Sequence, residues 1–214
     1  MEGTSPLKWK ILPLGSIAAN CVVLWREGSS ACWIVDPGQD AQDLIAFLDD
    51  QGFEPVLVAL THGHFDHVDA VPGLLARWPS LPVHIGPGDV QMLGHPMNAW
   101  PPDYPCAPRP ATLAADLADG AELAEAGIVA KVLSTPGHTP GSVCLHFEAD
   151  SLLLTGDTLF AGSCGRTDFP GGSMPQMKSS LARLAKLPQD TVVIAGHGSP
   201  TTIGREIATN PFMA

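Results

Sequence analysis

Four times along this chain a short apolar run breaks off into a glycine-containing turn that carries an acid or an imidazole. "PVLVAL" (55–60) passes into "THGHFDH", which sets His62, His64, Asp66 and His67 within six positions. "GIVAKVL" (127–133) passes into "STPGHTPG" with His138, "SLLL" (151–154) into "TGDTLF" with Asp157, and "TVVI" (191–194) into "AGHG" with His197. Runs of this length and composition read as buried strands. Strand ends are rigid mounts, as metal and catalytic geometry require, and the glycines let the backbone turn sharply beside a ligand. Packing does not ask for such clusters, because imidazole and carboxylate are costly to bury unless something satisfies them.

Around these ends the chain reads as alternating strands and helices. Strands are expected at 7–14, 20–25, 31–38, 55–62 and in "PVHIG", and again from 118 in "DGAELA", "GIVAKVLST", "SVCLHFE", "SLLLTGD" and "TVVIAGHG" (191–198). Leu44, Ile45, Phe47 and Leu48 share one face of a helix over 40–52 that Gly52 ends; further helices are expected at 69–78 and 173–187, with a helical turn at 87–93. Residues 96–110 hold six prolines with Trp100 and Tyr104, and read as an ordered extended loop. Both halves follow strands with a helix and a strand ending in histidine, the rhythm of two similar halves packed together.

A length of 214 residues, 45% hydrophobic and 15% charged, fits one domain spanning 1–214. The net charge of −11 excludes a nucleic-acid backbone as partner, which would need clustered Lys and Arg. Near the N-terminus, Lys8 and Lys10 precede an apolar stretch as in a signal peptide, but Pro13, Gly15 and Asn20 break it. Two strands and a turn are expected there, with no membrane span. Five cysteines (Cys21, Cys32, Cys106, Cys144, Cys164), odd in number and without a CxxC pair, fit reduced thiols in a cytoplasmic protein. The sequence sets no oligomeric state.

Seven ligand-type residues exceed what one zinc uses, about three protein ligands plus water. Two sets of three with a shared carboxylate would instead hold two ions about 3.5–4 Å apart. Asp157 or Asp66 would be the bridge, because a carboxylate has two oxygens. Zinc comes first, and iron and manganese also suit imidazole and carboxylate donors. His84 and His146 lie inside strand patterns and are assigned structural roles, whereas His95 opens the Pro-rich segment and could face the site. Cys164 reads as a packing residue, having no histidine beside it.

The segments "LTHGHFDHV", "STPGHTPGSV", "TGDTLFAGSCGRTDFPGG", "GHGSPTTIG" and "NPFMA", in that order, resemble the metallo-β-lactamase superfamily over nearly the whole chain. Within it the chain is similar to the short, bacterial, glyoxalase II-like hydrolases that lack the C-terminal helical domain of full-length hydroxyacylglutathione hydrolases. The resemblance implies an α/β fold, a four-layer αββα sandwich with the metals at one edge of its two sheets. By motif position it implies His62, His64 and His138 on a first metal, Asp66, His67 and His197 on a second, and Asp157 between them. Arg166 stands where the full-length enzymes have a basic residue that meets glutathione; it reads as a substrate-carboxylate anchor or as a loop tie to Asp168.

The expected activity is therefore hydrolysis of a small thioester, a hydroxyacylglutathione such as S-lactoylglutathione, by a metal-bridging hydroxide with Asp66 orienting the attack. A thiolate leaving group needs little protonation, which suits a site without a separate acid. One rival is a mononuclear-iron persulfide dioxygenase, which shares HxHxDH and a "GCGRTDF"-like segment; "AGHG" favours the hydrolase. A second is a non-catalytic metal-binding module. A β-lactamase role is disfavoured by the missing export signal.

Overall fold

The computed structural model describes residues 5–95 and 108–213. The Pro-rich segment of 96–110 therefore falls, apart from its last three residues, outside the described residues. The first half of the chain builds one sheet in the order β1 (Leu7–Leu14), β2 (Ala19–Arg26), β3 (Ala31–Val35), β4 (Glu54–Leu60), β5 (Val83–Ile85), β6 (Leu113–Ala114). The second half builds another, from β7 (Glu122–Glu125) at one edge through β8 (Ile128–Ser134), β9 (Val143–Phe147), β10 (Leu152–Gly156) and β13 (Val192–Ala195) to β14 (Thr201–Thr202). A small hairpin, β11 (Leu159–Phe160) with β12 (Ser163–Cys164), stands apart.

Side-chain alternation explains the layering. On β4, Leu57 and Ala59 join the cluster between the sheets, while Val58 and Leu60 join the cluster under the helices. On β10, Leu152 and Leu154 face the other sheet and Leu153 faces the opposite side. Strands apolar on both faces demand cover on both faces. α1 (Ala41–Gln51) and α3 (Val71–Arg77) bury Leu44, Leu48, Val71 and Leu74 on the first sheet. α4 (Met174–Leu184) and α5 (Ile203–Thr209) bury Met177, Leu181, Leu184 and Ile203 on the second. The result is the expected αββα sandwich, whose middle holds Trp33 against Phe147.

Several expected boundaries shift. The strands expected over 31–38, 55–62 and 191–198 stop at Val35, Leu60 and Ala195, so their polar ends lie in turns. The helix expected over 69–78 is α3, preceded by a separate helical turn α2 (Phe65–Val68) that lifts Asp66 and His67 out of the loop. The helix expected over 173–187 runs from Met174 to Leu184, with the Ser173 hydroxyl accepting from the Gln176 N–H as a cap. β6, β11, β12, β14 and α5 were not expected. No helix among the described residues is long and apolar enough to cross a membrane.

Candidate metal centre

Four strand ends deliver the predicted residues to one rim. β4 runs into His62, His64 and α2; β8 precedes His138; β10 precedes Asp157; β13 precedes His197. The first sheet thus supplies His62, His64, Asp66 and His67, and the second His138, Asp157 and His197. Ligand atoms of His62, His64 and His138 lie within 4.8 Å of one another, and so do those of Asp66, His67 and His197. Asp157 stands between the two sets. Its Oδ2 is 3.5 Å from His138 Nε2, and its Oδ1 is 3.5 Å from His67 Nε2 and 3.9 Å from His197 Nε2. Gly196 makes this approach possible, since a Cβ there would collide with Asp157 Oδ1.

Hydrogen bonds on the far side of three of the rings fix which nitrogen faces inward. The Thr61 hydroxyl donates to Asp36 Oδ2 at 2.6 Å, so it accepts from His62 Nδ1 at 3.1 Å. His67 Nδ1–H donates to Asp36 Oδ2 at 3.0 Å, and His138 Nδ1–H donates to the Arg166 carbonyl at 2.7 Å. The Nε2 lone pairs of these three rings therefore point into the cluster. His62 Nε2, His67 Nε2 and Asp157 Oδ1 are buried with no hydrogen-bond partner. Orphaned donors and acceptors of this kind are rare in folded proteins and call for a ligand. The donor set of imidazoles and carboxylates fits divalent ions.

The electrostatics agree. Burial, then the neighbouring imidazoles, pushes His62 well below its ordinary value, and burial with His138 lowers His64 to about 3. Both rings are thus neutral ligands at pH 7. Burial opposes charge on His67, yet Asp66 and Asp36 push it up; Asp66 is held below the carboxylate range by His67 and His197, also against burial. The field that raises His67 is a demand for positive charge, which an ion at its Nε2 meets as a proton would.

Asp36 and Asn20 were not singled out for this site by the sequence. Asp36, at the end of β3, accepts from His67, from the Thr61 hydroxyl and from the Thr61 N–H at 2.7 Å. It lies near His62 and His67 as a third donor group, but its oxygens are already occupied, so it orients ligands instead of adding a site. "VDPG" is itself a strand end with a carboxylate, the signal that could have found it. Asn20 donates to the carbonyls of Ala195 and Gly198, both at 2.9 Å, and so shapes the turn bearing His197.

Arg166 is exposed and bidentate with Asp168 (2.8 and 2.7 Å), and its guanidinium stacks 3.9 Å over Phe169. Phe169 in turn meets the edge of His64, with ring centroids 5.6 Å apart. His84 sits in β5 bonded to Asp116, His146 is buried in β9, and His95 is exposed. Cys164 packs at the edge of the α4 core, its thiol pushed up by burial.

A model of the metallo-beta-lactamase superfamily matches residues 14–197. The chain belongs to that superfamily. The superfamily match ends on His197, so it spans all seven clustered residues. Among relatives, hydroxyacylglutathione hydrolase GloC of Haemophilus influenzae is 34% identical over 216 residues, covering 95% of this chain and 97% of GloC. The crystal structure of BLEG-1 B3 metallo-beta-lactamase superposes with TM-score 0.88 at 34% identity, covering 96% of this chain and 99% of that one. TTHA1623 in a di-iron-bound form gives TM-score 0.84 at 34% identity, covering 95% and 99%.

Proposed function

We propose that this superfamily member is a dinuclear metal-dependent hydrolase of small thioesters, with a hydroxyacylglutathione of the S-lactoylglutathione type as substrate. The observation that carries this reading is Asp157, whose two oxygens face two different sets of three donors. Similarity to GloC supports the thioester, and the di-iron form of TTHA1623 supports a paired site. Two divalent ions there, of zinc, iron or manganese, would supply an acidified water and polarise a carbonyl.

The chain's own residues do the rest. His62, His67 and His138 are locked as Nε2 ligands by bonds made at Nδ1. Asp66 Oδ2, 3.1 Å from His197 Nε2, is the carboxylate oxygen placed to orient the attacking water. Attack on the thioester carbonyl breaks the C–S bond, and the thiolate leaves with little need of a proton. Arg166 anchors a substrate carboxylate by exchanging its Asp168 partner, above the Phe169 face that borders His64. The unpaired Cys21, Cys32, Cys144 and Cys164 suit a reducing compartment, and we assign the enzyme to the cytoplasm.

Metal analysis of the purified protein together with S-lactoylglutathione hydrolysis tests the reading. Two ions and turnover are expected. Two ions without turnover keep the hydrolase but remove this substrate. One iron per chain, with oxygen uptake on glutathione persulfide, overturns the proposal. The likeness to BLEG-1 makes nitrocefin the second substrate to try; its turnover in the absence of thioester hydrolysis would overturn the thioester assignment.

A further inference from the structure

Beside the two loops that carry the first set of histidines lies a fully buried carboxylate that the proposed reaction does not use. Asp89 is 0% exposed and follows β5 in a short 3-10 turn, Pro87–Asp89. Its Oδ2 accepts the Gly63 N–H at 2.9 Å and the Thr139 hydroxyl at 2.6 Å, and its Oδ1 accepts the Gly141 N–H at 2.6 Å. Gly63 stands between His62 and His64, and Thr139 directly follows His138. One side chain thus ties the backbone of both loops that carry the first donor set, which come from different sheets.

The surroundings are built for this contact. A Cβ on Gly141 would collide with the Asp89 backbone and carboxylate, and one on Gly88 would lie 2.8 Å from the Gly141 nitrogen. Side chains are thus absent where the two backbones close on Asp89. The Thr139 hydroxyl also pairs with Ser142 at 2.6 Å, which fixes the rotamer that serves Asp89. All three hydrogen bonds to the Asp89 carboxylate come from the loops that carry the first donor set, so the clamp is one-sided.

We propose that Asp89 is a positioning residue for the first metal alone: it sets the distance between the His62–His64 turn and the His138 loop. This rests on the dinuclear reading above. A carboxylate that accepts three hydrogen bonds across two loops holds them in one register. An amide in its place must turn an NH2 towards one of those donors and force the loops apart. Outer partners of this kind typically contribute on the order of ten- to a hundredfold to metal affinity.

Cobalt titration of the metal-free protein, followed by absorption, tests the clamp with Asp89→Asn and the milder Thr139→Val. His64→Asn and His197→Asn supply reference spectra for loss of the first and second ion. Asp89→Asn is expected to weaken one of two ions by roughly ten- to a hundredfold, to leave the other unchanged and to reproduce the His64→Asn spectrum. Thr139→Val should shift the same ion by less. Equal weakening of both ions, a match to His197→Asn, or unchanged binding overturns the inference. A core variant of comparable stability loss, Val132→Ala, should keep both ions. If it loses the first ion as Asp89→Asn does, the effect is general destabilisation and the inference falls. Should the wild type bind only one ion, the dinuclear reading fails; weakening of that ion in both variants then supports the clamp, and unchanged affinity overturns it.

Discussion

At His62, His67 and His138 the inward nitrogen is chosen by what holds the nitrogen opposite. For His67 that partner is Asp36, which fixes the ring through its Nδ1–H at 3.0 Å while two Thr61 donors fix Asp36. Asp36→Asn should leave the fold intact and weaken the ion that the proposed reading assigns to Asp66, His67 and His197 on the order of tenfold or more, read by chelator competition. Protonation follows the same geometry. In metal-free protein, NMR should show His64 still neutral at pH 5, because its folded value of about 3 lies below the unfolded 6.5, whereas His197, raised chiefly by its bond to Asp66, titrates above 6.5. The signs are opposite. The His64 contribution to stability is present above pH 6.5 and is lost as pH falls towards 3; the His197 contribution is present below 6.5 and is lost as pH rises through its folded value. A His64 that titrates near 6.5 would refute the burial argument. The seven clustered residues were legible in sequence because they gather in four glycine-containing turns that each end an apolar run. Asn20 and Asp89 were not, since their roles depend on hydrogen bonds to loops more than 25 residues away; Asp36 carried the strand-end signal in "VDPG", but its role shows only in its bonds to His67 and Thr61.

At the scale of elements, what was legible is what carries a long apolar period. β1 to β4, β8 to β10, α1 and α4 all show it, and their cores separate by side-chain parity as alternation requires. The short pieces were missed because two-residue strands such as β6, β11, β12 and β14 have no periodicity to read. α5 was missed because its first turn is announced only by the Thr202 cap, which accepts from the Arg205 N–H, and its Glu206 is a buried acid. That acid accepts from Thr201, Gly162 and Asn210, so the helix packs partly through polar contacts that hydropathy does not register. The apolar face of α4 makes the opposite case. Leu181, 1% exposed in the cluster that holds Cys144, Leu153 and Val193, should cost about 3 kcal/mol when cut to Ala, the range for a buried leucine whose cavity does not collapse. Denaturant unfolding measures it, and a loss below about 1 kcal/mol would mean that the outer helix layer is not packed as described.

For the molecule as a whole, the two sheets come from separate halves of the chain and meet across an apolar seam with a different polar fastening at each end of β2. Near Arg26 the fastening is a bidentate ion pair: Arg26 reaches Asp150 at 2.7 and 2.9 Å and the Gly127 carbonyl at 2.9 Å. At the other end of β2, Asn20 meets the His197 turn, and the seven clustered residues, four from one half and three from the other, close the seam. Ions held there would join the sheets, whereas without them Asp36, Asp66 and Asp157 stand close together with only imidazoles to balance their charge. Binding to the native state alone stabilises it by about 2.7 kcal/mol when ligand is a hundredfold above its dissociation constant. Chelation should therefore lower the melting temperature, and hydrogen exchange should show where. Faster exchange is expected in 61–69, 135–142 and 195–198, with the Arg26 end of β2 unchanged, because its fastening involves no metal-type donor set. Uniform acceleration along β2 would show that the seam opens as a unit and that the Arg26 pair does not hold its end independently.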